Sequence, residues 1–401
     1  MTKILYFTFL FDPKLGGGAS NVVNLLADSF SGKGHKVIIV SSKNKGESTS
    51  RIIGEKKLIE FFPVNMYWIY EKEKQPIIKK IIWQLIDIWN PFVYNFVRKI
   101  IKAESPDIIH SHKLRGLSPS IWNASSYFKG IKIIHTSHDF ELISPQGLLE
   151  GKIGKMASQR NFPINIYQNI RAHSSKLVNS FTSPSQFLLS KHVETGFFPN
   201  ASNRVIPNSH GFTEKELKSN FWQINNNNQN LKLLFIGRLV KEKGILLLCD
   251  AVRQFKYENK PFQLDIIGWG PLETELLNTY STAEFVFHGP LYNEEKNQMI
   301  ANCDILVMPS LVPESFGIVI AEAFSFGKPV LAANIGAIPE LVKEDWNGFL
   351  FTPGDITDLI YKLKYIYSQK NNLKNFSKNC YTSAQKYTID ELIRNYQAIY
   401  F

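Results

Sequence analysis

The chain has 401 residues, of which 44% are hydrophobic and 20% are charged, and its formal net charge is +11. This composition is that of a globular protein with room for two domains, and it excludes a disordered or fibrous chain. No run of eighteen apolar residues predicts a membrane span, and the start of the chain lacks a signal-peptide pattern.

The cysteine content and the charge distribution narrow the possible compartment and the possible partners of the protein. Three separated cysteines, Cys249, Cys303 and Cys380, predict neither a disulfide framework nor a metal site, which fits a reducing cytoplasm. Residues 1–200 hold 26 Lys and Arg against 14 Asp and Glu, whereas the remainder holds 20 against 21. We therefore expect an anionic partner for the first half: a phospholipid surface, a lipid-linked phosphate or a nucleic acid.

The chain opens with a predicted βαβ unit. Residues 3–9 predict a buried strand, residues 20–30 a helix and residues 37–41 a second strand. The glycines 16–18 between the first strand and the helix would let the backbone approach a ligand. This is not a dinucleotide fingerprint, because Asn21 stands where a third glycine would and no acid follows the second strand.

Residues 76–102 combine Ile, Trp and Phe with five basic residues. They predict a pair of amphipathic helices broken at Pro91, and two interpretations remain open. The helices pack on the core with solvated lysines, or they lie on a membrane surface. Basic and aromatic residues together also permit single-stranded nucleic acid, but no nucleic-acid motif accompanies them, and no such partner is expected.

Two further predicted strands end in histidines, in DIIHSH and KIIHTSHD. Ligands bind at the carboxyl ends of parallel strands, so these histidines are candidate site residues. Alternating histidines without a third-ligand motif are poor evidence for zinc, and no metal is expected. The histidines concerned are His110, His112, His135 and His138. Ser185 in the following FTSPS segment predicts a helix N-cap.

A domain boundary is expected within residues 205–230, because VIPNSHGF is followed by a polar tract at 225–228. A second βαβ series then begins with a strand at 232–236. Arg238 and Lys243 follow this strand end before the next helix, where a guanidinium fork and an ammonium can grip a diphosphate. Gly268 and Gly270 follow the next strand, in LDIIGWGP.

The segment LVMPSLVPESFGIVIAEAFSFGKPV, residues 306–330, contains two glutamates eight positions apart. Residues 317–326 predict a helix, with Glu314 in the preceding loop and Glu322 beside the apolar stripe. A carboxylate at the border of a buried face needs hydrogen-bond donors, and hydroxyl groups of a bound sugar or ribose would supply them. The alternative is a glutamate that reaches out to water.

Several of these segments resemble the retaining glycosyltransferases with the GT-B fold, of the glycosyltransferase family 4 type. The resemblance implies an α/β fold with two Rossmann-like parallel-sheet domains facing across a cleft. Residues 1–210 would form the acceptor-side domain and 211–382 the nucleotide-sugar-binding domain, with a last helix crossing back so that 383–401 pack on the first. The segments that carry the resemblance are the glycine loop, the His138-Asp139 step, VIPN (205–208), GRLVKEKG (237–244), Gly268-x-Gly270-Pro271 and PESFGIVIAEAF (313–324).

The resemblance also implies residue roles. Arg238 and Lys243 would stabilise the departing diphosphate, while Glu314 and His138 would hold the transferred sugar. Glu322 would bind the ribose hydroxyls. The donor-binding residues implied in this way are Gly17, Gly18, Gly237, Gly268, Gly270, Ser315, Phe316, Gly317, Ile318 and Glu322. Two cations at the phosphate, without an Asp-x-Asp triad, predict that neither a metal nor another cofactor is needed.

The expected function is retaining transfer of a hexose-type sugar from a nucleotide diphosphate sugar to a glycan or lipid-linked acceptor. UDP-sugars are favoured over GDP-sugars, and surface polysaccharide or lipopolysaccharide biosynthesis is the expected process. We expect a cytoplasmic protein whose basic first domain permits peripheral contact with the inner face of the membrane. The alternatives are a non-catalytic nucleotide-sugar-binding subunit of a glycan assembly complex, and an epimerase or phosphorylase of the same fold.

Overall fold

Mostly parallel strands form two separate sheets, each built with interleaved helices. The computed structural model describes residues 1–11, 17–221, 230–256 and 261–401. The chain divides into unit 1, Met1–Ile206 with Ile393–Phe401, and unit 2, Pro207–Leu392. The predicted loop glycine Gly16 and the polar tract 225–228 lie outside the described residues.

Unit 1 contains an eight-stranded sheet. Its strands are β1 Lys3–Thr8, β2 Lys36–Ser42, β3 Thr49–Ile53, β4 Lys56–Phe61, β5 Ile108–Ser111, β6 Lys132–Thr136, β7 Ser180–Ser183 and β8 Ser202–Val205. Their spatial order is β3-β4-β2-β1-β5-β6-β7-β8, with β3 antiparallel to β4 and the other neighbours parallel. Strands β1 and β2 read as near-continuous apolar runs because both faces of the sheet are covered there.

Helices within the described ranges of unit 1 connect these strands. They are α1 Gly17–Gly32, α2 Ile77–Ile88, α3 Pro91–Glu104, α4 Ser120–Ser126, α5 Gly151–Ser158, α6 Ile164–Ser175 and α7 Gln186–Glu194. The predicted break at Pro91 is confirmed, since Asn90 caps α3 by accepting hydrogen bonds from the N–H groups of Phe92 and Val93. Ser185 caps α7 as predicted, through a bond from the N–H of Leu188 at 3.1 Å.

Unit 2 contains a six-stranded parallel sheet in the order β11-β10-β9-β12-β13-β14. Its strands are β9 Leu231–Ile236, β10 Phe262–Ile267, β11 Phe285–Gly289, β12 Ile305–Met308, β13 Val330–Ala333 and β14 Gly348–Phe351. The chain runs outward from β9 to β11 and then returns to β12, beside β9. The loops that follow β9 and β12 therefore leave the sheet in opposite directions, which opens a crevice at their carboxyl ends.

The helices of unit 2 are α8 Glu214–Phe221, α9 Ile245–Lys256, α10 Glu273–Thr279, α11 Asn293–Asn302, α12 Ile318–Ser325, α13 Ile338–Leu341, α14 Ile356–Ser368 and α15 Ser377–Ala384. Their apolar faces pack on both sides of the sheet, in two clusters of buried side chains. Within the described ranges of both units, no helix combines the length and apolar character needed to cross a membrane.

The last helix, α16 Ile389–Tyr400, joins unit 1 only from Ile393 onward, ten residues later than predicted. The preceding residues stay with unit 2 because Ala384 and Tyr387 are buried in its core. The first residues of unit 2 also lie earlier than the predicted boundary at 210/211. His210 donates its backbone N–H to the carbonyl of Tyr387 at 2.9 Å, so it belongs to unit 2.

Candidate functional site

The loops after β9 and β12 bring Lys243 and Glu314 together at the point where the strand order reverses. Lys243 Nζ lies 2.6 Å from Glu314 Oε1, and the hydroxyl of Ser310 donates to the same oxygen at 2.6 Å. The Glu314 side chain is 13% exposed and that of Lys243 is 32% exposed, so the pair is accessible from one side. A lysine has three N–H donors and one is used here, which leaves donors for an anion.

Direct backbone contact fixes the distance between these two loops. Gly244 has a φ of +69°, and a Cβ atom at this position would lie 1.8 Å from the carbonyl oxygen of Pro309. The N–H of Leu311 donates to the carbonyl of Glu242 at 2.9 Å. The loop with Lys243 and the loop with Glu314 are therefore held in one arrangement at the backbone level.

The predicted glycine turn after β10 packs against the other side of the β9 loop. Gly268 has a φ of +145°, and a Cβ there would lie 1.8 Å from the carbonyl oxygen of Gly237. The N–H of Leu239 donates to the carbonyl of Trp269 at 2.9 Å, and Gly270 lies against the carbonyl of Leu239. The glycines at 237, 268 and 270 thus form one continuous backbone surface.

Arg238 lies on this surface, in the loop after β9, with an exposed side chain. Its guanidinium forms no hydrogen bond or ion pair with the residues that the structure describes. The sequence-based hypothesis brings Arg238 together with both carboxylates, and the structure shows no direct bond to either. An exposed guanidinium without a partner among the described residues, in the same loop as Lys243, remains open to an incoming anion.

Glu322 occupies the predicted place on α12, but it pairs with a residue that the sequence did not identify. Lys296 on α11 donates from Nζ to Glu322 Oε1 at 2.7 Å. The second oxygen, Oε2, is buried and has no hydrogen-bond partner among the described residues. A buried carboxylate oxygen without a donor carries a desolvation cost that a ligand hydroxyl would remove.

The residues between Glu314 and α12 position the helix start. Phe316 is buried and its ring lies 5.6 Å from that of Tyr387, in an edge-on arrangement. Gly317 has a φ of +97° and precedes Ile318, where α12 begins without a side-chain cap. The carbonyl of Glu314 accepts the N–H of Ala337 at 2.9 Å, which holds the loop against the segment after β13. Ser315 lies in the same loop.

In unit 1 most of the predicted histidines have structural partners. His110 bonds to the Tyr400 hydroxyl through Nδ1 and to the Thr136 hydroxyl through Nε2, both at 2.7 Å. His135 bonds to two serine hydroxyls in the same way. Burial lowers the pKa of His110, His112 and His135 well below the usual value. These three rings therefore stay neutral at pH 7, and they belong to the core.

His138 lies beyond the end of β6 and is the most exposed of the four. Its Nε2 is 3.0 Å from Nδ1 of His112. Burial lowers the pKa of His138 to about 4, although the nearby Asp139 carboxylate acts in the opposite direction. Asp139 itself pairs with Lys113 at 3.3 Å. His138 can therefore offer a neutral imidazole to a ligand, and its contact with a sugar stays a prediction.

The remaining predicted residues of unit 1, Gly17 and Gly18, form the first positions of α1. The hydroxyl of Ser20 donates to the carbonyl of Leu10 at 2.6 Å, which ties α1 to the end of β1. No three His, Cys, Asp or Glu side chains within the described ranges are grouped as metal ligands. The metal-independent reaction stays a prediction.

Sequence reasoning missed Ser310 and Lys296. Ser310 lies four residues before Glu314 in the segment already singled out, so its role as a partner could have been suspected. Lys296 carries no comparable signal, because it lies 26 residues from Glu322 on a different helix. Only the packing of α11 against α12 brings them together.

Two family models and a relative match most of the chain. Residues 217–383 match the family model described as "Glycosyl transferases group 1", and residues 16–209 match "Glycosyltransferase Family 4". An uncharacterised 42.6 kDa protein in a cps region of Klebsiella pneumoniae is 30% identical over 339 residues, which cover 84% of this chain and 87% of that protein.

Solved structures match nearly the whole chain. Sucrose-phosphate synthase from Thermosynechococcus elongatus superimposes with a TM-score of 0.76 at 18% identity, covering 100% of this chain and 98% of that one. Anabaena Alr3699/HepE in complex with UDP gives a TM-score of 0.67 at 18% identity, covering 99% of each chain. These likenesses show the fold and confirm the predicted GT-B class. With its sheet order, its two matched family models and its Klebsiella relative, the chain belongs to the GT-B-fold glycosyltransferases of the family 4 type.

Proposed function

We propose that the protein is a metal-independent, retaining hexosyltransferase that uses a nucleotide diphosphate sugar. The observation that carries the proposal is the Lys243–Glu314 pair at the switch point of the unit 2 sheet, with the exposed Arg238 in the same loop after β9 as Lys243. Two cations and a carboxylate at the carboxyl ends of β9 and β12 fit the diphosphate and the sugar hydroxyls of one donor. The Anabaena neighbour that contains UDP supports a UDP-sugar over a GDP-sugar.

In the proposed reaction, the bond between the anomeric carbon and the β-phosphate oxygen breaks, and a bond from the acceptor oxygen to the same carbon forms. The acceptor proton passes to the leaving phosphate oxygen on the same face of the sugar, which gives retention. The products are the glycoside and a nucleoside diphosphate. Arg238 and Lys243 stabilise the negative charge that develops on the diphosphate, which preorganised donors can do by several kcal/mol, on the order of 3–4.

Glu314 holds the transferred sugar in this proposal, together with the backbone of Phe316, Gly317 and the start of α12. Its Oε1 already accepts two donors, so a sugar hydroxyl would compete with or replace them. The glycine surface at 237, 268 and 270 lets the donor approach the backbone. His138 would contact the sugar as a neutral imidazole, as the family resemblance implies.

Glu322 gives the proposal a sharp test. Glu322→Gln should weaken UDP binding about tenfold, because the charge-assisted bonds from the ribose hydroxyls to Oε2 are lost. The matched control is Glu295→Gln, the same chemical change at an exposed position beside Lys296. Titration calorimetry with UDP measures the difference. An unchanged Kd with a lowered melting temperature would show that Glu322 is only the structural partner of Lys296.

For the acceptor we propose a glycan or lipid-linked glycan of surface polysaccharide or lipopolysaccharide biosynthesis. The Klebsiella relative is named for its place in a cps region, which supports this assignment. The excess of basic residues in the first half of the chain suits an anionic, phosphate-bearing acceptor. We place the reaction in the cytoplasm, at the inner face of the membrane, with unit 1 making peripheral contact.

The direct experiment is a thermal-shift screen followed by product analysis. A donor present at a hundred times its Kd should stabilise the protein by about 2.7 kcal/mol, so UDP-glucose, UDP-galactose and GDP-mannose can be ranked by melting temperature. Nucleoside diphosphate should then appear only when an acceptor is present, and a chelator should leave the rate unchanged. Release of nucleoside diphosphate without an acceptor would favour an epimerase, and a strict metal requirement would contradict the mechanism.

A further inference from the structure

Helix α2 presents an apolar face to solvent. Ile77, Ile78, Ile81 and Leu85 are 73%, 59%, 50% and 62% exposed, whereas Trp83 and Asp87 on the opposite side are buried. At 100° per residue, the four exposed aliphatic residues fall within one arc of about 100°. A surface helix of a soluble domain shows the reverse pattern, with its apolar stripe toward the core.

Exposed aromatic residues also flank α2 in the chain. Trp89, directly after α2, is 39% exposed, and Phe92 at the start of α3 is 58% exposed. Tyr70, in the 3-10 segment Ile69–Lys74 before α2, is 59% exposed. Soluble monomers rarely leave a large apolar patch uncovered, so a patch of this kind marks an interaction surface.

The charged residues around α2 indicate which kind of partner covers its exposed apolar face. Between residues 76 and 102 the one acidic residue, Asp87, is buried and pairs with Arg171 at 3.5 Å. The other charged residues are all basic: Lys79, Lys80, Arg98, Lys99 and Lys102. A second copy of this chain would bring the same positive residues against one another. An anionic bilayer surface offers both an apolar layer for the isoleucines and negative headgroups for the lysines.

We propose that α2 lies on an anionic membrane surface, with Ile77, Ile78, Ile81 and Leu85 inserted among the lipids and the flanking lysines at the headgroups. Insertion along the surface needs no spanning length, and the twelve residues of α2 suit an interfacial helix. This docking surface is a property of unit 1 alone and does not depend on the donor site.

The docking surface also suggests how a lipid-linked acceptor is reached, a step that rests on the proposed function. Trp83, on the buried side of α2, lines a small pocket together with Phe9, Trp68 and Gly116. Phe9 and Gly116 lie in the loops after β1 and β5, and the rings of Phe9 and Trp68 stack at 5.2 Å. In this sheet β1 and β5 are the neighbours at which the strand order reverses. A headgroup beside α2 would thus lie near the carboxyl edge of the unit 1 sheet.

The test is co-sedimentation of the full chain with vesicles. Wild type should bind vesicles that contain about one-third phosphatidylglycerol in phosphatidylcholine, and should bind pure phosphatidylcholine far more weakly. Leu85→Asp should lower the bound fraction about tenfold, and the double variant Lys79→Glu with Lys80→Glu should do the same. Equal binding to both vesicle types, or unchanged binding of Leu85→Asp, would overturn the proposal.

Two matched controls accompany these variants. Tyr361→Asp changes a residue of unit 2 that is 64% exposed, against 62% for Leu85, and the pair Lys374→Glu with Lys378→Glu makes the same charge change on exposed lysines of unit 2. All controls should bind vesicles as wild type does. Size-exclusion chromatography with light scattering tests whether a second copy of this chain, in place of a membrane, occupies the apolar face of α2. A dimer that Leu85→Asp dissociates, with unchanged vesicle binding, would assign the face to self-association.

A melting-temperature shift with UDP-sugar separates this proposal from the proposed function. Leu85→Asp should keep the shift of the wild type, which also shows that the variant is folded. If wild type binds anionic vesicles through Leu85 but shows no shift with any nucleotide sugar, the membrane surface stands and the donor assignment falls. If wild type shows a normal shift with a nucleotide sugar but binds no vesicles, the donor assignment stands and the membrane surface falls.

Discussion

Replacing Arg238 by alanine should reduce glycosyl transfer about a thousandfold and leave the melting temperature unchanged, because in the proposed reaction its guanidinium stabilises the departing diphosphate and nothing else. The side chain is exposed and makes no ion pair with the described residues, so its removal breaks no contact of the folded protein. Steady-state kinetics and a thermal melt of the same preparation measure both quantities. A fully active Arg238→Ala protein would refute the phosphate assignment.

Two further variants sharpen this experiment. Arg238→Lys keeps the charge but loses the planar fork, so an intermediate rate is expected. Arg253→Ala removes another exposed arginine of unit 2, on α9, and should leave transfer unchanged. Glu314→Ala should also abolish transfer, but it strands the Lys243 ammonium and the Ser310 hydroxyl that now share one carboxylate oxygen. Arg238 is therefore the cleaner probe of the chemistry.

Gly244→Ala should lower transfer about a hundredfold and also destabilise unit 2. A methyl group at this position would lie 1.8 Å from the carbonyl oxygen of Pro309, so the loops that carry Lys243 and Glu314 must move apart. A displacement of about 1 Å at a catalytic group is enough for a hundredfold loss. The measurement is kcat/KM together with the melting temperature.

The control for this variant is Gly211→Ala. Gly211 has a φ of +91°, so alanine meets a comparable left-handed strain there, but its Cβ would enter open space. Gly211→Ala should lower the melting temperature slightly and leave transfer intact. If both variants lose activity to the same extent, backbone strain causes the loss. The proposed role of the contact with Pro309 is then wrong.

The sequence predicted best where local signals agreed with the fold. The strands predicted at 3–9, 37–41 and 232–236 are found at Lys3–Thr8, Lys36–Ser42 and Leu231–Ile236, because short apolar runs between turn residues leave little choice of ends. The β3–β4 hairpin was missed, since Thr49–Ile53 is an exposed edge strand with hardly any buried residue to reveal it. GT-B class was confirmed, while the residue roles remain predictions.

How well the contacts of the site residues could be predicted depended on how far apart the partners lie in the chain. Glu314 and Lys243 were both identified, yet their direct pairing across 71 positions follows from the sheet order, which no local pattern contains. The histidines gave a misleading signal. His110 was a candidate ligand-binding residue, but Tyr400, 290 residues away, occupies its ring nitrogen. A histidine at a strand end looks the same in sequence whether its partner is a substrate or a distant helix.

The buried bonds of the last helix have a consequence for how the protein is made. Tyr396 and Tyr400 supply hydroxyls to Thr136, His110 and Tyr6 inside unit 1. These bonds cannot form until Tyr396 and Tyr400 have left the ribosome, after every residue of unit 2 has been translated. The half of the protein that is translated first would thus be the last to finish folding, and its polar interior stays open to water until these two tyrosines arrive.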